Sequence, residues 1–324
     1  MAHHKIYGGC LESEIAVSGL PISGPCRADW KVRRSEYLEP LLDPVLLGEE
    51  RLVDTVSVRL ERGADRFRLT FDDTGAFDVS LDGREITWTP AAGADQDLAQ
   101  IDLLGRVLSL AVHAAGDVCL HASAVVVEGH AIAFLGPKGF GKSALAMSLV
   151  ASGATLLTDD TLRLRLGPRT VATPGPHSIR LWNDVADHLG RRSAMVPELD
   201  GGKLVGRSLP DDEVSSEPVP LAALYLLNPV RPSPDVASGR RTLLPSVEAT
   251  LGVIQHAKIA LLLGKSEGAA LLHRAASLTS TTPVFRLEVP RDLPQLPVAA
   301  RHIMGWHRIG ADAPTPAPQT AGGR

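Results

Sequence analysis

The sequence predicts an α/β protein: a P-loop domain over residues 98–308, preceded by a small β-rich N-terminal domain over residues 1–90. Three patterns lead there. Short runs with period-two alternation fill the first 90 residues, strand-like and helix-like runs alternate after residue 98, and a glycine-rich segment lies between an apolar run and a helix-compatible one.

In the first part, Thr55 to Leu60, Arg66 to Phe71 and Phe77 to Leu81 read as strands, with Gly63, Asp72-Asp73 and Asp82-Gly83 as the turns between them. Pro90 to Asp97 is small and polar, as a linker would be. Leu98, Ile101, Leu104, Leu108, Val112 and Ala115 then recur at helical spacing, and Gly116 stands where that helix would stop. Leu120 to Val127 and Ala131 to Leu135, separated by Glu128-Gly129-His130, read as a hairpin of buried strands. Ser143 to Ala151 predicts a helix ended by Gly153, and Ala154 to Thr158 a strand that terminates in Asp159-Asp160. Strands are expected again at Leu221 to Leu227 and Val284 to Val289, with helices near Val247 to Leu263 and Ala269 to Leu278. The Pro-containing tail, 311–324, is expected to be disordered.

The chain has 324 residues, and at roughly 100–200 residues per domain it has room for two. Its 44% hydrophobic and 22% charged residues exclude wholesale disorder, collagen and coiled coil. A net charge of -4 supplies no diffuse basic field, and 4% aromatic residues are too few for a base-stacking platform, so nucleic acid is not an expected partner. Cys10, Cys26 and Cys119 show no CxxC spacing, which predicts neither a zinc knuckle nor a disulfide framework, and Cys119 lies in an apolar run that suits a core. No apolar stretch approaches the ~18 residues of a membrane span, and the N-terminus has no secretory pattern. A soluble chain in a reducing cytoplasm, without a membrane partner, is the expectation.

Gly136-Pro137-Lys138-Gly139-Phe140-Gly141-Lys142-Ser143 satisfies G-x-x-x-x-G-K-[ST], with an apolar run before it and a helix-compatible run after it. Such a loop turns its backbone N–H groups toward phosphate oxygens, and the following helix adds its positive dipole end, so that the segment Gly136 to Ala144 is the expected nucleotide cradle. Lys142 would reach the β- and γ-phosphates, and Ser143 would place its hydroxyl on a bridging Mg2+. The chain has seven lysines, and two of them lie in this loop, which makes chance placement less attractive.

Asp159 lies seventeen residues after Lys142, the length of one helix and one turn. Ligands collect outside the carboxyl ends of strands in open α/β sheets, so both carboxylates fall near the same phosphate. Adjacent residues on a strand point to opposite sides, and the pair is assigned two roles: Asp159 as proton acceptor and Asp160 as metal ligand. Asp-Asp-Thr is also good turn chemistry. His121, fifteen residues before the loop, has by itself the pattern of a core or edge histidine.

Leu120-His121-Ala122, the GPKGFGKS loop and Leu156-Leu157-Thr158-Asp159-Asp160 together resemble, in order and spacing, the catalytic domain of the HPr serine kinase/phosphorylase family, over about residues 119–162. A looser resemblance, to HPr-kinase-like proteins found with ribosomally made peptides such as lasso peptides, takes in Tyr7-Gly8 through Ser13-Glu14, Arg180-Leu181-Trp182 and Pro283 to Pro290. The resemblance implies a fold shared with phosphoenolpyruvate carboxykinase, phosphorylation of a serine hydroxyl at the expense of ATP and Mg2+, a site role for His121, and a homo-oligomer, since the resembled kinases assemble as rings. The chain departs from the family at Lys138, where the family has serine, and at Ala144, where it has glutamate; the family's downstream phosphorylase signature is not found.

Arg180 and Lys203, the latter with Arg207, are further candidates for cationic clamps on a transferring phosphoryl group. The expected activity is that of an ATP- and Mg2+-dependent kinase whose partner is a peptide or small-protein serine acceptor. The alternative is a nucleotide-binding ATPase that serves as a switch or scaffold with no acceptor. Lys138 and Ala144 also leave open a degenerate binding module.

Overall fold

A computed structural model of the chain describes residues 1–308, apart from 18, 19, 21, 54, 55, 198–201, 207, 208, 234, 235 and 237. The tail expected to be disordered and Arg207 lie outside the described residues. Eight strands built from the first 90 residues form one sheet: β1 (Ala2–Ile6), β2 (Gly9–Ser13), β3 (Trp30–Arg34), β4 (Val45–Val53), β5 (Val56–Arg62), β6 (Arg66–Phe71), β7 (Gly75–Ser80) and β8 (Glu85–Pro90). Their spatial order is β1-β2-β3-β8-β7-β6-β5-β4, antiparallel except where β3 lies parallel to β2 and to β8. Alternation decides which face is buried: Val58 and Leu60 are sealed while Arg59 between them is exposed.

The buried face is covered by α1 (Gln96–Asp102), a π-helical turn at Leu103–Val107, and α2 (Leu108–Ala114). The periodicity predicts one continuous helix here. The wider turn resets its register, so Leu103 and Val107 reach the same core as Leu108, Ala111 and Val112. Asp95 caps α1 by accepting from the backbone N–H groups of Asp97 and Leu98. Gly83, at a φ of +75°, comes so close to α2 that a Cβ there would lie 2.1 Å from the Ala111 carbonyl oxygen.

The predicted hairpin follows as β9 (Val118–Val127) and β10 (His130–Leu135), joined through Glu128 and Gly129 at positive φ. Next come α3 (Lys142–Val150), β11 (Thr155–Thr158), β12 (Thr161–Arg165), β13 (Val171–Thr173), β14 (Ile179–Trp182), α4 (Asn183–His188), β15 (Val196–Pro197) and β16 (Lys203–Gly206). The chain ends with β17 (Val219–Val230), β18 (Arg240–Leu243), α5 (Ser246–Gln255), α6 (Lys265–Thr281), β19 (Val284–Pro290) and α7 (Leu296–Gly305). The second large sheet runs β10-β9-β12-β13-β17-β19-β18, with β11 against β9, and β10 also pairs in parallel with β17. Helices α3 and α7 pack on one side of it through Leu145, Leu149, Ile303 and Phe134, and α5 and α6 on the other through Val253, Leu271 and Leu224. A small third sheet, β14-β16-β15, stands beside α3.

Helix expected through Leu263 stops at Gln255 and gives way to a short 3-10 turn at Ala260–Leu262. Cys10 and Cys26 form a disulfide, which corrects the expectation that the cysteines encode no disulfide framework. Motif spacing reports ligands close in sequence, whereas these two meet because β2 and the loop before β3 fold together. Cys119 is free and buried, as expected. Among the described residues no helix is long and apolar enough to cross a membrane.

Asp102 is half-buried at the end of α1, where loss of solvent pushes its carboxyl up to about 6, against a hydrogen bond donated by Thr74. The raised value means folding favours the protonated acid, so that contribution is full below the ordinary carboxylate value and is lost as pH rises through about 6. Asp102→Asn should therefore raise the melting temperature at pH 7–8, by the equivalent of at most about 3 kcal/mol, and leave it unchanged near pH 3.5; thermal scans at the two pH values check this.

Candidate functional site

β10 is fully buried from Ala131 to Leu135, which fixes where the glycine-rich loop begins. Gly139 and Gly141 both adopt a φ of +89°, a conformation that costs L side chains energy, and Gly141 caps the start of α3. Lys142 is the first residue of that helix, and its Nζ folds back to donate to the carbonyl oxygens of Gly136 at 2.7 Å and Pro137 at 3.3 Å. Burial lowers the Lys142 ammonium to about 8 against the opposite pull of Asp159 and Asp160, and nearby Lys203 and Lys258 lower it further.

The next residue meets the paired acids. Ser143 Oγ donates to Asp159 Oδ1 at 2.9 Å, Ser123 Oγ donates to the same oxygen, and the Arg180 backbone N–H donates to Oδ2 at 3.3 Å. Asp159 is only 6% exposed, and burial raises its carboxyl above the usual range while the two serine hydroxyls oppose the shift. His121 and Ser123 alternate on β9 and so face the acids together, while Leu120 and Ala122 enter the opposite core.

Asp160 sits in the tight connection from β11 to β12 at a φ of +86°, and this left-handed turn sends its carboxylate to different partners. Lys258 Nζ lies 2.7 Å from Oδ2, and His121 Nδ1 lies 3.1 Å from Oδ1. Burial alone would raise the Asp160 carboxyl, but the Lys258 ammonium and the His121 ring outweigh it and hold it well below the usual range. Gly175 seals the floor of this turn: a Cβ there would lie 2.1 Å from Thr158 Oγ1 and 2.9 Å from the Thr161 carbonyl oxygen.

These groups open onto one cleft of about 920 Å³. His121, Lys138, the segment from Gly139 to Ala144, Asp159, Asp160, Arg180 and Lys203 all line it. Gly136 and Pro137 stand behind it and act through their carbonyls on Lys142. Lys203 reaches the rim because β14 and β16 pair Trp182 with Lys203, whose ammonium lies 5.4 Å from the Trp182 ring. Of the two expected metal-binding residues, Ser143 places its hydroxyl on Asp159, while the left-handed turn directs Asp160 to Lys258 and His121. Sequence reading missed Ser123, although its position two residues after His121 on one strand was a usable signal. It also missed Lys258, which arrives from 98 residues beyond Asp160 and is seated by its backbone N–H on the Cys119 carbonyl.

No family model matches the chain, and no curated protein sequence matches it significantly. Among solved structures it is similar to the HPr(Ser) kinase/phosphatase from Coxiella burnetii at 15% identity and a TM-score of 0.30, over 59% of this chain and 99% of that one. A likeness of that size carries no functional argument, so function must be argued from the site's own chemistry.

Because the Asp160 carboxyl is depressed in the fold, the stabilisation it draws from Lys258 is present above the ordinary carboxylate range and is lost as pH falls through the depressed value. Lys258→Met should lower the melting temperature most at neutral pH, and the gap to the wild-type chain should narrow steadily as the pH is brought below 4, as followed by circular dichroism.

Proposed function

We propose that the cleft binds ATP with Mg2+ and transfers the γ-phosphoryl group to a serine hydroxyl of a small protein or peptide. The observation that carries this reading is the Ser143–Asp159 hydrogen bond directly beneath a glycine-rich loop that opens α3. A metal-binding hydroxyl, a carboxylate and a lysine thereby share one corner of the cleft. The charge around them supports an anionic ligand. Four of the seven lysines, Lys138, Lys142, Lys203 and Lys258, gather at or beside the cleft, and His256 next to them is lowered to about 4 by burial and by the nearness of Lys142 and His121.

The donor set fits a hard divalent cation: a serine hydroxyl and a carboxylate are the oxygen ligands that Mg2+ prefers. Ser143 would hold the ion with Asp159 at its flank, and the ion would neutralise charge on the phosphate oxygens. Lys142, released from the loop carbonyls, would swing to the β- and γ-phosphates. Asp159 is the better proton acceptor of the two acids, because burial raises its affinity for a proton whereas Lys258 and His121 lower that of Asp160. Asp160 and His121 hold the turn, and Arg180 and Lys203 face the incoming phosphates from the far wall. Lys138 adds a charge on the loop itself, and Leu227, Val289 and Leu296 line an apolar end suited to a flat base.

Incubation with ATP, Mg2+ and a library of serine peptides, read by mass spectrometry, should show acceptors gaining one phosphoryl group. Lys142→Ala and Asp159→Asn should each lower the rate by roughly a hundredfold to a thousandfold. Consumption of ATP with no phosphorylated acceptor would move the assignment to a nucleotide-driven switch, and absence of any ATP binding by calorimetry would end it.

A further inference from the structure

Outside the cleft lining, three ligand atoms converge on the first sheet. β1 and β2 pair with His3 opposite Glu12 and Lys5 opposite Cys10, so His3 and Cys10 lie diagonally on one face, while His4 and Leu11 on the other face enter the core. Cys26 comes from the loop leading to β3. His3 Nδ1 is 3.8 Å from Cys10 Sγ and 3.9 Å from Cys26 Sγ, and among the described residues this is the one group of three or more His, Cys, Asp or Glu ligand atoms that lie within 4.8 Å of one another.

We propose that the reduced form of this cluster is a zinc site, with Cys10 and Cys26 as thiolates, His3 as a neutral imidazole through Nδ1, and water in the fourth position. In a tetrahedral zinc centre the nitrogen and sulfur ligands stand on the order of 3.5–3.8 Å apart, and His3 Nδ1, at 3.8 and 3.9 Å from the two sulfurs, needs to move by only about a tenth to a few tenths of an ångström to meet it. Two thiolates and an imidazole form a donor set that favours a thiophilic ion over Mg2+ or Ca2+. Backbone contacts that do not involve sulfur hold the three segments together: Ser23 N–H donates to the His3 carbonyl at 2.8 Å, Asp29 N–H donates to the Cys10 carbonyl at 2.9 Å, and Cys10 N–H donates to Asp29 Oδ2 at 2.8 Å. The ligands therefore stay gathered when the disulfide opens. A dithiol reductant places two electrons in the Cys10–Cys26 bond and two protons on the sulfurs; zinc then displaces those two protons as it binds. Oxidation and metal binding are thus exclusive states of one clasp that closes the segment between residues 10 and 26 onto the hairpin.

The test uses the full chain, reduced with a phosphine under anaerobic conditions and titrated with Zn2+ against a chromophoric chelator, then with Co2+ as a spectroscopic probe. One equivalent of zinc per chain is expected, with a thiolate-to-cobalt charge-transfer band. Cys26→Ser should abolish the band, His3→Ala should weaken zinc by at least about tenfold, and Cys119→Ser should change nothing. Because Cys10 is buried, the partly exposed His3 and Cys26 are the positions varied, and circular dichroism verifies that both variants fold. A reduced chain that takes up no zinc, or binding that survives His3→Ala or Cys26→Ser unchanged, overturns the site.

Discussion

Two carboxylates on neighbouring residues, Asp159 buried and Asp160 partly exposed, repel each other, and the cleft is organised around relieving that repulsion. Each acid has its own partners. Asp159 keeps Ser123, Ser143 and the Arg180 backbone N–H, all neutral donors, and Asp160 takes Lys258 and His121. A left-handed φ at Asp160 makes the separation geometrically feasible, and the close packing of Gly175 against Thr158 and Thr161 holds the turn. Neutral partners leave Asp159 with a raised affinity for a proton, whereas the Lys258 ammonium lowers that of Asp160. One turn thus yields two chemically different acids.

Lys142 obeys the complementary constraint. An ammonium buried among other cations is costly, and the loop carbonyls of Gly136 and Pro137 offset part of that cost by accepting its hydrogen bonds. An anion in the cleft would offset more of it, together with the charge of Lys138, Lys203 and Lys258. The folded site is in this sense under electrostatic tension that a polyanion, were one to bind, would relieve.

How much of this was legible in the sequence depended on how local each feature is. The loop was readable because its chemistry lies within eight consecutive residues bounded by a strand and a helix, and the hairpin of β9 and β10 because a positive-φ glycine turn separates two apolar runs. The acids were readable as a pair, but the partners that hold them apart were not, since alternation along a strand does not describe a left-handed turn. Lys258 and the Cys10–Cys26 bond depend on sheet register and on contacts between distant segments. The third sheet was invisible for the same reason: β14 and β16 are four-residue strands whose pairing carries no turn signal between them.

Arg163, three residues beyond Asp160, ties the two halves of the molecule together. Its guanidinium grips Asp117 with two N–H groups, donates to the Tyr7 carbonyl at 3.0 Å and stacks 5.2 Å from the Trp30 ring, while Tyr7 itself donates to the Leu104 carbonyl. The core beneath the first sheet also includes Cys119, Ile259 and Leu262 from the later part of the chain. The N-terminal sheet is therefore no detachable cassette: excising it would strip the apolar cover from α1 and α2 and unmoor the strand that follows the twin acids.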